Sequence, residues 1–185
     1  MKRLLLTFVL SLFVLGAIAQ NDEITGVRIP EGYRGSLELT NSWHFDENMP
    51  ATIQLSTTHG VFLNEHLYTG LGAAIEWNAE YSLIPIYANV RYVFLSHALV
   101  NPFVSMRLGS YIRKNMGAYG DLAIGARFAT KTDLAFSIMV VGTYYSKIKY
   151  NYNESYIDAF GFMHSENVEG KINPAGIAVR VGFEW

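Results

Sequence analysis

Ten ionisable residues stand at positions where a charge has apolar company: Arg34, Glu38, Glu76, Arg91, Arg107, Arg113, Asp121, Arg127, Arg180 and Glu184. Leu37 and Leu39 flank Glu38, Ile75 and Trp77 flank Glu76, Met106 and Leu108 flank Arg107, and Val179 and Val181 flank Arg180. If these charges share an interior, their chemistry is mutual. Ions withdrawn from water persist only where they pair and hydrogen-bond, because desolvation costs several kcal/mol per ion. The expectation is therefore a salt-bridged network of six arginines and four acids.

Other reactive groups are sparse. The five histidines, His44, His59, His66, His97 and His164, are scattered, and no pair has helical i, i+4 ligand spacing with a carboxylate companion. His59 and His66 are expected to approach one turn, but no metal site is predicted. Met163-His164-Ser165-Glu166 holds a hydroxyl, an imidazole and a carboxylate. A triad needs convergence on one centre, and residues adjacent on one loop do not normally converge. No catalytic residue, metal or cofactor is assigned. The absence of cysteine excludes disulfides, thiolate metal sites, a Cys nucleophile and an N-terminal lipid anchor through Cys.

The elements that must position these charges follow a two-residue period, the mark of strands with one apolar face. Leu37, Leu39, Trp43 and Phe45 alternate with Arg34, Ser36, Glu38, Thr40 and Ser42; Ile53, Leu55 and Val61 alternate with Gln54, Ser56 and Thr58. The pattern continues in Leu67 to Trp77, Ile84 to Phe94, Val104 to Ile112, Leu122 to Phe128, Leu134 to Tyr144 and Ile177 to Trp185, giving eight strands. The intervening turns, 46–50, 63–66, 78–83, 96–101, 113–118 and 130–133, are short, as successive antiparallel hairpins require. Only the connection 150–171 is long. Closing eight strands on themselves leaves no free edge.

The direction of the two faces decides the class. The apolar set is too bulky to fill an eight-stranded interior, which holds little more than packed side chains. The alternate set mixes the charges with small residues such as Gly70, Gly72, Ala74, Gly109, Ala123, Gly125, Ala178 and Gly182, which suits a crowded lumen. The sheet is therefore inside out, apolar outward and polar inward, with aromatics toward strand ends, as in a transmembrane β-barrel. A secreted lipocalin-like barrel is the soluble alternative.

Composition fits an exported membrane barrel. Charged residues make up 16% against roughly 25% in ordinary soluble domains. The formal charge of −2 gives no footprint for nucleic acid. Lys2 and Arg3 precede an apolar stretch from Leu4 to Leu15 and the small-residue end Ala17-Ile18-Ala19, the pattern of a cleaved secretory signal over 1–19. Residues 20–32 are read as a lead-in and 33–185 as the barrel.

The runs TTHGVFLNEHLYTGLGAAIEW, IPIYANVRYVF, NPFVSMRLGSY, GDLAIGARF and VRVGFEW are similar to the small outer-membrane β-barrel family widespread in Bacteroidetes-type bacteria, with the architecture of the OmpX and OmpA transmembrane barrels. The resemblance covers essentially the whole mature chain. It implies residence in the outer membrane of a Gram-negative bacterium and insertion by the β-barrel assembly machinery, with a C-terminal aromatic as signal, here Trp185 with Phe183 two residues before it. It implies no catalytic motif.

Function beyond this is expected at the long connection. Ile148, Tyr150 and Tyr152 alternate with Lys147, Lys149 and Asn151, so the seventh strand continues outward and turns at Asn153-Glu154-Ser155. Tyr156, Phe160 and Phe162 then add aromatic surface outside the cell, a candidate contact for an extracellular protein or glycan. The expected molecule is a monomeric, lipid-embedded barrel with a plugged lumen. A lipid A acyl hydrolase and a small-solute pore are the competing functions.

Overall fold

The computed structural model describes residues 29, 31–46, 49–78, 82–112, 117–130, 133–146, 148–157 and 163–185. Among them ten strands form: β1 (Gly32–His44), β2 (Thr52–Phe62), β3 (Leu67–Trp77), β4 (Ser82–Val93), β5 (Val100–Ile112), β6 (Gly117–Ala129), β7 (Ala135–Tyr145), β8 (Ile148–Ile157), β9 (Met163–Ile172) and β10 (Ala175–Glu184). Eight of them close into an antiparallel barrel in the order β1-β10-β7-β6-β5-β4-β3-β2. The barrel strands run 10–13 residues, enough for a tilted membrane crossing of about 9–11 residues.

The seam runs from Ser36↔Glu184 to His44↔Gly176. It is extended by paired backbone bonds between Gly35 and Trp185, 3.1 and 3.0 Å. Gly35 lets the Trp185 indole cover the strand at that point, since a Cβ would lie 2.7 Å from the ring and the ring would have to shift. The end of the barrel with this seam and the turns 63–66, 94–99 and 130–134 is called the lower end.

Alternation sorts the faces as the period requires. Leu37, Leu39, Ile75, Ile86, Leu108, Leu122, Ile138 and Val181 are exposed on the outside, Leu71 to 70%. Aromatics cluster at the two rims, Trp43, Phe45, Trp77 and Tyr144 above and Tyr33, Tyr92, Phe94, Phe136 and Trp185 below.

Two expectations are corrected. The seventh strand does not itself continue into the connection 150–171: β7 ends at Tyr145, and β8 and β9 form a separate two-stranded sheet rooted at Ile148↔Ile172. The turn does not fall at Asn153-Glu154-Ser155, which pair in register with Asn167, Glu166 and Ser165; the strand continues to Ile157↔Met163. Asn153, Glu154 and Ser155 are polar in succession, so no apolar alternation marks the strand there, while the backbone ladder continues without it. The lumen is also not polar throughout. Its lower end holds Ile29, Phe62, Tyr68, Val93 and Phe103, and its upper end Met49, Leu83, Tyr87, Tyr111, Tyr119, Tyr145 and Ile148.

Candidate functional site

The inward charges are carried to one place by five barrel strands: β1 supplies Glu38, β4 Arg91, β5 Arg107, β6 Asp121 and Arg127, and β10 Arg180 and Glu184. Glu38 is 1% exposed and stands at the centre. Its Oε2 accepts from Arg107 Nη2 and lies 3.8 Å from Arg180 Nε, while its Oε1 accepts from Arg91 Nη2 at 3.3 Å. Gly182, directly across the seam, leaves room for this carboxylate, since a Cβ there would sit 3.0 Å from Glu38 Cγ.

The network extends both ways. Toward the lower end Arg91 Nη1 donates to Glu184, whose second oxygen accepts from Arg127 Nε at 2.7 Å. Arg127 Nη1 continues to Asn101 Oδ1 at 3.1 Å, and Asn101 Nδ2 is anchored on the carbonyls of Leu95 and Ala98, each 2.7 Å. Toward the upper end Arg180 Nη2 donates to Asp121 Oδ2 at 2.5 Å and its Nε to Thr40 Oγ1 at 2.8 Å. Tyr119 donates to the same Asp121 oxygen at 2.6 Å. Arginine suits the position because its planar fork of five donors can bridge two carboxylates at once. The flat faces of the fork are covered too, Arg91 over Phe103 at 4.5 Å and Arg107 over Tyr87 at 4.6 Å.

Two of the ten residues are described and stand apart. Glu76 is fully buried and accepts from neutral donors, Gln54 Nε2 at 3.0 Å and Tyr145 OH at 2.5 Å. Arg34 turns to the exposed Asp133, 3.4 Å, at the lower rim. Arg113 lies outside the described residues. Seven thus converge, and the structure adds Asn101, Tyr68, Tyr87, Tyr119 and Tyr145, which carried no charge to draw attention to them. Strand parity was the available signal, since Tyr119 stands two residues from Asp121 on one face.

The remaining candidates are dispersed. His66 lies in the turn 63–66, whereas His59 stands on the outer face of β2, bonded by its Nδ1 to Tyr33 OH at 2.6 Å and 6.1 Å edge-on from Trp185. Among the described residues no three His, Asp or Glu side chains come together as metal ligands. His164, Ser165 and Glu166 are consecutive positions of β9. Tyr150, Tyr152 and Tyr156 lie on β8; Phe160, Phe162 and the segment 1–28 lie outside the described residues. Phe183 and Trp185 end the seam, ring against ring at 6.1 Å, with Phe183 also 5.3 Å from Phe136.

A closed antiparallel cylinder, apolar outside and filled with ion pairs, is similar to a solved structure. Neisserial surface protein A superposes at a TM-score of 0.55, with 12% identity over 83% of this chain and 95% of that one. The fold is that of a transmembrane β-barrel. The N-terminal β-barrel domain of Pseudomonas aeruginosa OprF aligns at 0.48, with 12% identity, covering 84% of this chain and 100% of that one. A major outer-membrane protein of Thermus thermophilus aligns at 0.45, with 11% identity, over 83% and 99%. No protein-family model and no curated protein matches the chain.

Proposed function

We propose that the chain is an integral outer-membrane barrel of a Gram-negative bacterium, a monomer whose lumen is closed by its own ion pairs and whose hairpin β8–β9 meets partners outside the cell. The observation that carries this reading is the inversion of polarity: leucines and aromatics exposed outward, Arg107 and Arg180 buried inward. In water that arrangement would expose a continuous apolar belt while burying the charges. In a bilayer the belt is solvated by acyl chains.

The hairpin marks the upper boundary of the belt. On β8 the positions alternating with buried Ile148 are Lys149, Asn151 and Asn153, and their cross-strand partners are Lys171, Glu169 and Asn167. The outward apolar series of the barrel ends with Tyr144 and Ile177, and the hairpin sequence beyond it is rich in charges and amides, as at a headgroup boundary. The role is structural and adhesive rather than enzymatic, and no cofactor is involved. The likeness of the strand segments to the small Bacteroidetes-type, OmpX-like family supports insertion by the assembly machinery through Phe183 and Trp185. The hairpin aromatics Tyr150, Tyr152 and Tyr156 supply contact area for a protein or glycan at low entropic cost.

Planar-bilayer recording tests the closed lumen. The refolded protein is expected to give no stable unit conductance, whereas large steady steps would establish a pore. Binding of the intact protein and of a hairpin-free variant to a glycan array and to host-surface extracts tests the adhesive role. Equal profiles would remove it.

A further inference from the structure

Ile29 precedes the barrel yet is 1% exposed, buried in one apolar cluster with Phe62, Tyr68, Val93 and Phe103 at the lower mouth. Its N–H donates to the carbonyl of Ser96 at 3.3 Å. That carbonyl is itself held. Ser96 Oγ donates to Glu65 Oε2 at 3.2 Å, and the same oxygen lies 2.9 Å from His97 Nε2, so Glu65 ties the turn 63–66 to the loop 94–99. Beside this layer is a small cavity lined by Arg34, Ser36, Phe62, Tyr68, Arg91 and Glu184, so the Arg91–Glu184 pair of the network borders it.

A residue outside the strands has no alternation to direct it, and nothing in the ladder requires Ile29 to enter the mouth. We propose that the lower mouth is a binding pocket for an apolar side chain and that the chain's own Ile29 fills it, a tethered stopper over the Arg91–Glu184 pair. Among the described residues one apolar side chain and one backbone hydrogen bond hold it, which the barrel ladder does not share, so it can leave without unfolding the barrel, and Glu65 serves as the latch that keeps Ser96 in place. On the proposed orientation this pocket faces the periplasm. The stopper goes beyond the closed-lumen reading, because it governs entry to the cavity and not passage through the charge layer.

The absence of native cysteine makes the test direct. Ser36→Cys places a single thiol in the cavity wall, and Asp133→Cys places one at a side chain 84% exposed on the same rim. Each is made in the full chain, refolded in detergent, checked by its boiled and unboiled gel positions, and treated with a small water-soluble methanethiosulfonate. The Ser36→Cys thiol is expected to react slowly with Ile29 present and at least tenfold faster with Ile29→Gly, while the Asp133→Cys thiol reacts alike in both. Glu65→Gln should give a smaller acceleration with Ile29 intact. Fast labelling in the presence of Ile29, or equal rates with and without it, overturns the stopper. Should Ile29→Gly not fold, an unchanged rate in Glu65→Gln overturns it instead. Conductance by the unaltered protein would refute the closed lumen and leave these rates unaffected.

Discussion

Glu38 meets Arg91, Arg107 and Arg180 within 3.8 Å, so no single substitution in this cluster removes only one interaction. Replacing Arg107 with Ala leaves a buried carboxylate short of a partner and takes away a guanidinium stacked on Tyr87. The expected loss is about 3–5 kcal/mol, read from urea unfolding of the refolded barrel in lipid vesicles. Glu38→Gln should cost at least as much, since it leaves guanidiniums facing one another in a space with little water. The double variant Glu38→Leu with Arg107→Leu is expected to lose less than the sum of its single changes, because removing both charges strands neither. Strict additivity would show that the two residues act independently. At Gly72 a Cβ would lie 2.5 Å from the Tyr87 ring, so Gly72→Ala should destabilise by about 1–3 kcal/mol, with Tyr87→Leu recovering part of the loss.

Two elements carry separable tasks. The end of β10 closes the cylinder: Trp185 exchanges two backbone bonds with Gly35 and packs its ring over the bare strand there. Deleting residues 183–185 removes that closure together with the proposed targeting signal. The truncated chain is expected to be exported and then to accumulate outside the outer-membrane fraction or be degraded, as fractionation and immunoblotting would report. Outer-membrane levels equal to those of the full chain would make Trp185 a rim residue only. The hairpin, by contrast, forms a sheet of its own and joins the barrel at Ile148 and Ile172. Replacing 149–171 with a short Gly-Ser turn should leave the unboiled gel shift intact, because the barrel ladder contains none of its hydrogen bonds. Loss of the folded band would show that the hairpin is required to hold β7 beside β10.

At the scale of the whole molecule, the lumen holds its charges as a band: among the described residues Arg34, Arg91, Arg107, Arg127 and Arg180 are buried with Glu38, Glu76, Asp121 and Glu184, and Arg34 pairs with Asp133 at the rim. Apolar layers led by Ile29 below and Met49 above cover this band at both ends. The outside offers lipid a face on which Leu71, Leu122 and Leu108 are more than half exposed. Extraction should therefore require detergent, and the folded protein should run at a different gel position from the boiled one. Recovery of a folded monomer from a detergent-free soluble fraction would contradict a bilayer as its solvent.

The barrel and the facing of its side chains could be read from the chain alone, because a strand's period of two is a local property and a bilayer outside reverses its usual sense. Glu38 between Leu37 and Leu39, or Arg180 between Val179 and Val181, declares its direction without knowledge of any partner. Which charge meets which was decided by tertiary structure. Register and the curvature of the wall bring Arg91 of β4 to Glu184 of β10 and leave Arg34 to Asp133 at the lower rim, although Arg34 and Glu184 both stand near the lower end of the seam. The hairpin was legible only as far as its alternation survived, since a strand pair apart from the barrel wall has no inside and outside to impose one. Ile29 and Met49 were not legible as mouth residues, because outside the strands no repeating geometry links position in the chain to direction in space.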